Sequence, residues 1–229
     1  GDYNIALGKG ALRLATTGTL NIAIGCCSGY RISSGNCNVT IGNFAGRCIT
    51  TGTDNIVLGH LALGAACVTG SKNIILGCCA GGDITSSSDN IALGMCALCG
   101  HTTGHSGNGR NIAIGCQALA TSNCFGNIAI GALSGCGKSG ETISFKKSIF
   151  IGEGAGAQTA AGNCNIFVGH YAGKGNDTGG ISGDDNVAIG QDAGCTISSG
   201  QCNILIGKLA GKQITTGTHN IITGPWAGS

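Results

Sequence analysis

The feature that most constrains this chain is a period. Aligned on the Asn of Asn21-Ile-Ala-Ile-Gly25, near-copies begin at Asn4, Asn21, Asn38, Asn55, Asn73, Asn90, Asn111, Asn127, Ser148, Asn165, Asn186, Asn203 and Asn220. Most spacings are 17 residues, and the units beginning at Asn90, Asn127 and Asn165 are 21 long. The phase is kept throughout, so residues 1–229 read as a single repeat domain. A unit this short cannot bury an apolar face alone, so neighbours must stack and share a core. One rung per unit at about 4.8 Å predicts a stiff rod of roughly 60 Å.

The consensus is N-I-A-I-G-x-x-A-G-x-x-I-T-T-G-x-x, and each column has a physical reading. The second position is Ile or Val in every unit, and the fourth is Ile, Leu or Val except at Thr223. Alternation of this kind predicts a short strand with the second and fourth positions buried. The third position is also apolar in most units (Ala6, Val57, Ile75, Phe150, Phe167, Leu205). On this reading the third column faces outward, toward water in a lone coil or toward a neighbouring chain in an oligomer.

The fifth position is always Gly, as in Gly25, Gly42, Gly59, Gly77 and Gly94. Positive φ or close approach of another backbone would require that. The eighth position is Ala or, at Ser28 and Ser134, Ser, which suits a tight corner. The ninth is Gly or Leu. The stretch Thr50-Thr51-Gly52 and its copies read as a second short strand ending in a turn. Asn21, Asn38, Asn55, Asn73 and Asn90 are placed to stack into an amide ladder, which Ser148 interrupts. Regular Gly penalises helix heavily. The expected fold is therefore all-β: a solenoid or β-roll of thirteen coils, two short strands per coil, stacked parallel and in register.

Composition agrees with thin stacked layers. Glycine takes 45 positions, aromatic residues are 4% and charged residues 10%, yet 42% of the chain is hydrophobic. That is too apolar for disorder. The net charge of +2 leaves no broad basic footprint for nucleic acid. No apolar run reaches the length of a membrane span. No stretch reads as a secretory leader. The chain opens inside a repeat and shows no polar cap at either end, which reads as a segment of something longer.

The units resemble the N-T-x-[IL]-G-x-x-A-G-x-x-x-T-T-G repeats of phage and giant-virus tail-fibre shafts. They are more distantly similar to the head repeats of trimeric autotransporter adhesins. The likeness is strongest at residues 21–35, 38–52, 186–200 and 203–217. It implies a homotrimeric fibre on a virion or other extracellular surface, often upstream of an intramolecular chaperone domain. It also implies a role in host attachment, with a surface receptor or glycan as partner. It implies no enzyme activity, cofactor, nucleic acid or membrane insertion. A cell-surface adhesin or filament subunit is the alternative. Some shafts of this kind bind iron through H-x-H, which does not occur here.

Several chemical motifs compete with the repeat. Cys96-x-x-Cys99 followed by His101 and His105 has the ligand types of a zinc site, but the cysteines occupy ordinary repeat columns. The fifteen cysteines fall in columns. Cys79 and Cys96 share the seventh position, and Cys37, Cys164 and Cys202 end their units. Column-mates would lie about one rung apart, within reach of a disulfide. The preferred reading is that Cys serves as a small buried hydrophobe, with cross-linking as the alternative. Gly137-Lys138-Ser139 resembles the end of a P-loop but lacks its first Gly, and Gly152-x-Gly154-x-Gly156 lacks a βαβ context. The sequons at Asn38 and Asn176 fall on the Asn ladder and in a long loop. Adjacent Thr residues, as in an ice-binding solenoid, would present one hydroxyl per rung outward. His105, Arg110, Lys146, Lys147, Asp184 and Asp185 mark the longer units, where binding specificity is expected to sit. Asp184-Asp185 could take a cation, although a solvated turn is the plainer reading.

Overall fold

A computed structural model describes residues 1–64, 67–82, 84–100, 109–120, 125–137, 144–175 and 180–229. Among these the secondary structure is all β, with thirteen three-residue strands and no helix. They are β1 (Ile5–Leu7), β2 (Ile22–Ile24), β3 (Val39–Ile41), β4 (Ile56–Leu58), β5 (Ile74–Leu76), β6 (Ile91–Leu93), β7 (Ile112–Ile114), β8 (Ile128–Ile130), β9 (Ile149–Ile151), β10 (Ile166–Val168), β11 (Val187–Ile189), β12 (Ile204–Ile206) and β13 (Ile221–Thr223). The chain divides into two compact units, Gly1–Ala113 and Ile114–Ser229. In the first, β1 to β6 pair in sequence order, parallel and in register, as in Ile22↔Val39 and Ile56↔Ile74. In the second, β8 to β13 do the same, as in Ile149↔Ile166 and Val187↔Ile204. Parallel stacking of one strand per coil makes the fold a parallel β-solenoid.

Among the described residues each coil has one strand, not two. The Thr-Thr-Gly segments run as bends, and their N–H groups converge on one carbonyl of the next coil instead of forming a ladder, as Thr16, Thr17 and Gly18 do on Ser33 O. Ser33 N–H donates to Thr50 O at 3.0 Å and Thr50 N–H to Val68 O at 2.9 Å. Isolated parallel bridges such as Ile49↔Val68 are all that remains of the expected second strand. A close approach explains the Gly that ends the segment. A Cβ on Gly35 would lie 2.3 Å from Gly52 O in the next coil.

The strand faces are the reverse of the sequence expectation. The third column points inward: Ala23, Val57, Ile75, Ala92, Ala129, Phe150, Phe167, Ala188 and Leu205 are fully buried. The second and fourth columns point outward, with Ile56 41%, Ile204 38% and Ile206 41% exposed. The centre of a three-residue strand faces the opposite side from its two ends. Here the centre meets the eighth-column Ala and the twelfth-column Ile32, Ile49, Ile84 and Ile197, all buried.

Interior volume is shared between the third and ninth columns. The ninth residue takes a left-handed backbone in every coil, with φ from 49° at Leu63 to 62° at Gly156 and Gly228. Where the third residue is Phe, the ninth is Gly: a Cβ on Gly156 or Gly173 would lie 2.5 Å from the ring of Phe150 or Phe167. Where the third is Ala92 or Ala113, the ninth is Leu98 or Leu119, and both leucines are buried. Leu119 and Leu63 accept left-handed strain so that their side chains fill the core.

At the fifth column both explanations for Gly hold together. Gly42 has φ 133°, and a Cβ there would stand 2.7 Å from Gly59 O. The Asn ladder forms as expected. Asn38 Oδ1 accepts the backbone N–H of Asn55 at 3.0 Å and its Nδ2 at 2.9 Å, while Asn38 Nδ2 also donates to Gly52 O at 2.9 Å. Ser148 thins this ladder rather than breaking it. Its N–H donates to Asn127 Oδ1 at 2.9 Å, and its Oγ accepts the N–H of Asn165 at 3.1 Å.

Candidate functional site

Turns at the seventh, tenth and eleventh columns carry side chains that the backbone does not use. Their amides are committed to coil stacking: Cys27 N–H donates to Lys9 O, Phe44 N–H to Cys26 O and Arg31 N–H to Arg47 O, at 2.9 to 3.1 Å. The side chains are thus free to define a surface. In the first unit they form a cleft of about 600 Å³ lined by Arg13, Cys27, Tyr30, Arg31, Phe44, Arg47 and Cys48. The Arg13 guanidinium carbon lies 6.0 Å from the Tyr30 ring centre, and that of Arg47 lies 5.3 Å from Phe44. Arg47 Nη2 also donates to Gly64 O at 3.3 Å. No carboxylate lines this cleft.

A second cleft of about 330 Å³ occupies the same columns in the other unit, lined by Leu133, Cys136, Gly137, Gly154, Ala157, Gln158, Tyr171 and Lys174. There the Lys174 ammonium lies 5.4 Å from the Tyr171 ring centre. Both clefts contain an aromatic three residues before a cation, Phe44 with Arg47 and Tyr171 with Lys174, on the same turn.

The cysteines are not the buried hydrophobes expected. Of the described thiols only Cys48 is buried; Cys26, Cys37, Cys67, Cys78, Cys164 and Cys202 are exposed, and no disulfide joins the described cysteines. Cys37, Cys164 and Cys202 sit at left-handed residues that end coils. Cys78 Sγ lies 3.5 Å from Cys79 Sγ and 3.9 Å from His60 Nδ1. The Cys79 thiol is pushed up from the ordinary range, first by its hydrogen bond with Cys78 and then by burial, with Cys96 in the next coil adding to it. Burial raises Cys27 and Cys195 in the same direction. A raised thiol stays protonated and reacts slowly as a nucleophile.

Cys96 and Cys99 stand at the seventh and tenth columns of one turn, each partly exposed. His101 and His105 lie outside the described residues, as do Lys138, Ser139 and the Asn176 sequon. Among the described residues no group of three or more His, Cys, Asp or Glu is placed to hold a metal ion. Much of the three longer units falls outside the described residues as well. The residues that flank them lie at regular coil ends. Arg110 N–H donates to Ser88 O and Lys147 N–H to Phe125 O, both at 3.1 Å. Lys146 bridges to Phe125. Asp184 belongs to a second polar row, two residues before the Asn ladder: Asp184 Oδ1 accepts the backbone N–H of Asn163 at 2.6 Å and the Asn163 Nδ2 at 3.2 Å. Asp185 is exposed beside it.

Comparison with family models, with curated proteins and with solved structures finds no match to this chain. No helix among the described residues is long and apolar enough to cross a membrane.

The clefts were missed at the level of sequence because their members are unlike one another. The available signal was positional: Arg13, Tyr30 and Arg47 are 17 residues apart and share the tenth column.

Proposed function

We propose that this chain is the shaft of an extracellular fibre, of the virion tail-fibre or spike kind, that contributes to attachment at a host surface. The observation that carries the reading is a tandem solenoid whose sheet exposes two in-register apolar columns. In the second unit alone Ile130, Ile151, Ile166, Ile189, Ile204 and Ile206 are exposed. A continuous apolar face on a soluble protein marks an interaction surface. The occupant best matched to it is another copy of the chain, because only a partner with the same rung spacing keeps Ile against Ile along the stack. The same face supports a homotrimer, now through the second and fourth columns rather than the third.

Light scattering on the purified chain tests the assembly. The expected mass is three times 22.4 kDa. Replacing Ile166 and Ile204 with Lys is expected to yield monomers that keep the β circular-dichroism spectrum, since both side chains are outside the coil. A wild-type chain that stays monomeric at high concentration would remove the trimer. Labelling of intact particles with an antibody to the chain tests the location, and staining away from fibres would remove the shaft reading.

A further inference from the structure

The cleft at Arg13–Cys48 has features that coil stacking does not need. Arg13, Arg31 and Arg47, from three successive coils, line one cleft, and Arg31 Nη1 also lies 3.9 Å from Cys67 Sγ. Tyr30 and Phe44 support two of the three guanidiniums through their ring faces. A ring holds a guanidinium without occupying its N–H donors, so the forks are oriented while most of their hydrogen-bonding capacity is open. Such forks match the two oxygens of a carboxylate or sulfate. Cys27 at the same place does not oppose an anion. Burial and its neighbour Cys26 keep its thiol raised, and Lys9 and Arg47 act on it as nearby positive charges.

The extent of the charge restricts the ligand. The tenth column continues from Arg47 to Gly64 and Gly82, so the cationic run ends after three coils. Three coils span on the order of 10 Å. A nucleic-acid strand asks for a longer charged groove, with sites of roughly 4–16 nucleotides. An extended acidic peptide gains affinity from free backbone groups, and here the amides of Cys27, Phe44 and Arg31 already bond neighbouring coils. What fits is short and anionic. A cleft of this volume suits a ligand of one or two rings.

We infer that the Arg13–Tyr30–Arg31–Phe44–Arg47 cleft binds an anionic saccharide, with the arginines on its carboxylate or sulfate and a ring face of Tyr30 or Phe44 against its C–H face. The inference rests on the attachment reading for its purpose, and it names the class of surface ligand. The second cleft, with one ammonium, lacks the forks and serves as an internal control.

Isothermal titration of the full chain at low salt tests it with three probes: a glucuronate-containing disaccharide, a sulfated disaccharide and an uncharged disaccharide. Binding of either anionic probe, at least tenfold tighter than the uncharged one, is the expected result, and the tighter of the two identifies the acid group. Arg13→Gln with Arg47→Gln should weaken that binding at least tenfold and leave the circular-dichroism spectrum unchanged. Lys174→Gln should leave it within twofold. Equal affinity for the uncharged probe, no binding of either anion, or indifference to the double substitution would overturn the inference. Its failure is separable from failure of the shaft reading. Particles that carry the chain on fibres while the pure chain ignores both anions would reject the saccharide site alone. Saccharide binding by a chain found away from fibres would reject the shaft alone.

Discussion

The cleft at Arg13–Cys48 and the cleft at Leu133–Lys174 use the same three columns of the repeat, yet they differ both outside and inside. Outside, three guanidiniums in one become a single ammonium in the other. Inside, the third column beneath the first holds Ala23 and Thr40, and beneath the second Phe150 and Phe167. Thr40 is buried and its hydroxyl pairs with Ser28 Oγ at 2.9 Å. Phe150 stacks on Phe167 with ring centres 5.6 Å apart and meets Phe145 edge-on at 5.3 Å. The backbone hydrogen bonds between coils are alike in both regions. The solenoid therefore holds geometry constant while inner and outer side chains vary separately. The first region invests its variation in surface charge and the second in core volume.

The sharpest way to test that division is to empty the second core. Phe150→Ala removes a fully buried ring that touches two others. It is expected to cost about 3–5 kcal/mol, read as a fall in the urea midpoint. A loss under 1 kcal/mol would mean that the phenylalanine stack does not hold this region together.

The next test asks whether the two backbones are equivalent. Gly42→Ala and Gly169→Ala each place a methyl 2.7 Å from the backbone of the following coil, at φ 133° in both cases. Each should cost about 2–4 kcal/mol, and the two losses should agree within roughly 1 kcal/mol on chemical denaturation. A large difference would show that the two regions do not share one coil geometry.

How much of this was legible in the sequence depended on which columns lacked freedom. The fifth-column Gly and the first-column Asn were readable because nothing else meets both demands made on them. Gly42 needs a positive φ and room for a carbonyl, and Asn38 needs an acceptor and a donor at one point. The strand faces come out reversed because alternation of apolar residues separates two faces without saying which is the core. The buried third column runs from Ala23 to Phe150, because side chains of neighbouring coils as well as the ninth column fill the remaining space, as Leu12 and Thr40 do beside Gly29. The outward Ile column hardly varies at all. The second strand was read from β-branched Thr, but Gly35 and its copies approach the next coil's carbonyl too closely for an ordinary strand residue. The arginine cleft was hidden because it depends on side chains from three coils, and none of them is distinctive in its own unit.

The smallest effect concerns the polar ladder, where the two regions also differ. In the first unit Asn38 makes both amide bonds to its neighbours, Asn38 Nδ2 to Asn21 Oδ1 at 3.0 Å and Asn55 Nδ2 to Asn38 Oδ1 at 2.9 Å. In the second unit Ser148 preserves only the bonds that involve backbone N–H groups. Its hydroxyl is too short to reach the position that the amide nitrogen fills elsewhere, and donates instead to Lys146 O at 3.3 Å. Ser148→Asn supplies a donor toward Asn127 Oδ1 and an acceptor for Asn165 Nδ2. Each completed bond contributes about 0.5–1.5 kcal/mol net, and ordering a longer side chain offsets part of that. The expected gain is about 1 kcal/mol, or roughly 2–4 °C in Tm for a chain of this length. Asn38→Ser should lose a similar amount in the first unit. If both substitutions destabilise, the Ser148 site is shaped for serine and the ladder is not interchangeable between units. If the signs are opposite, the ladder is a common element on which each region has built its own surface.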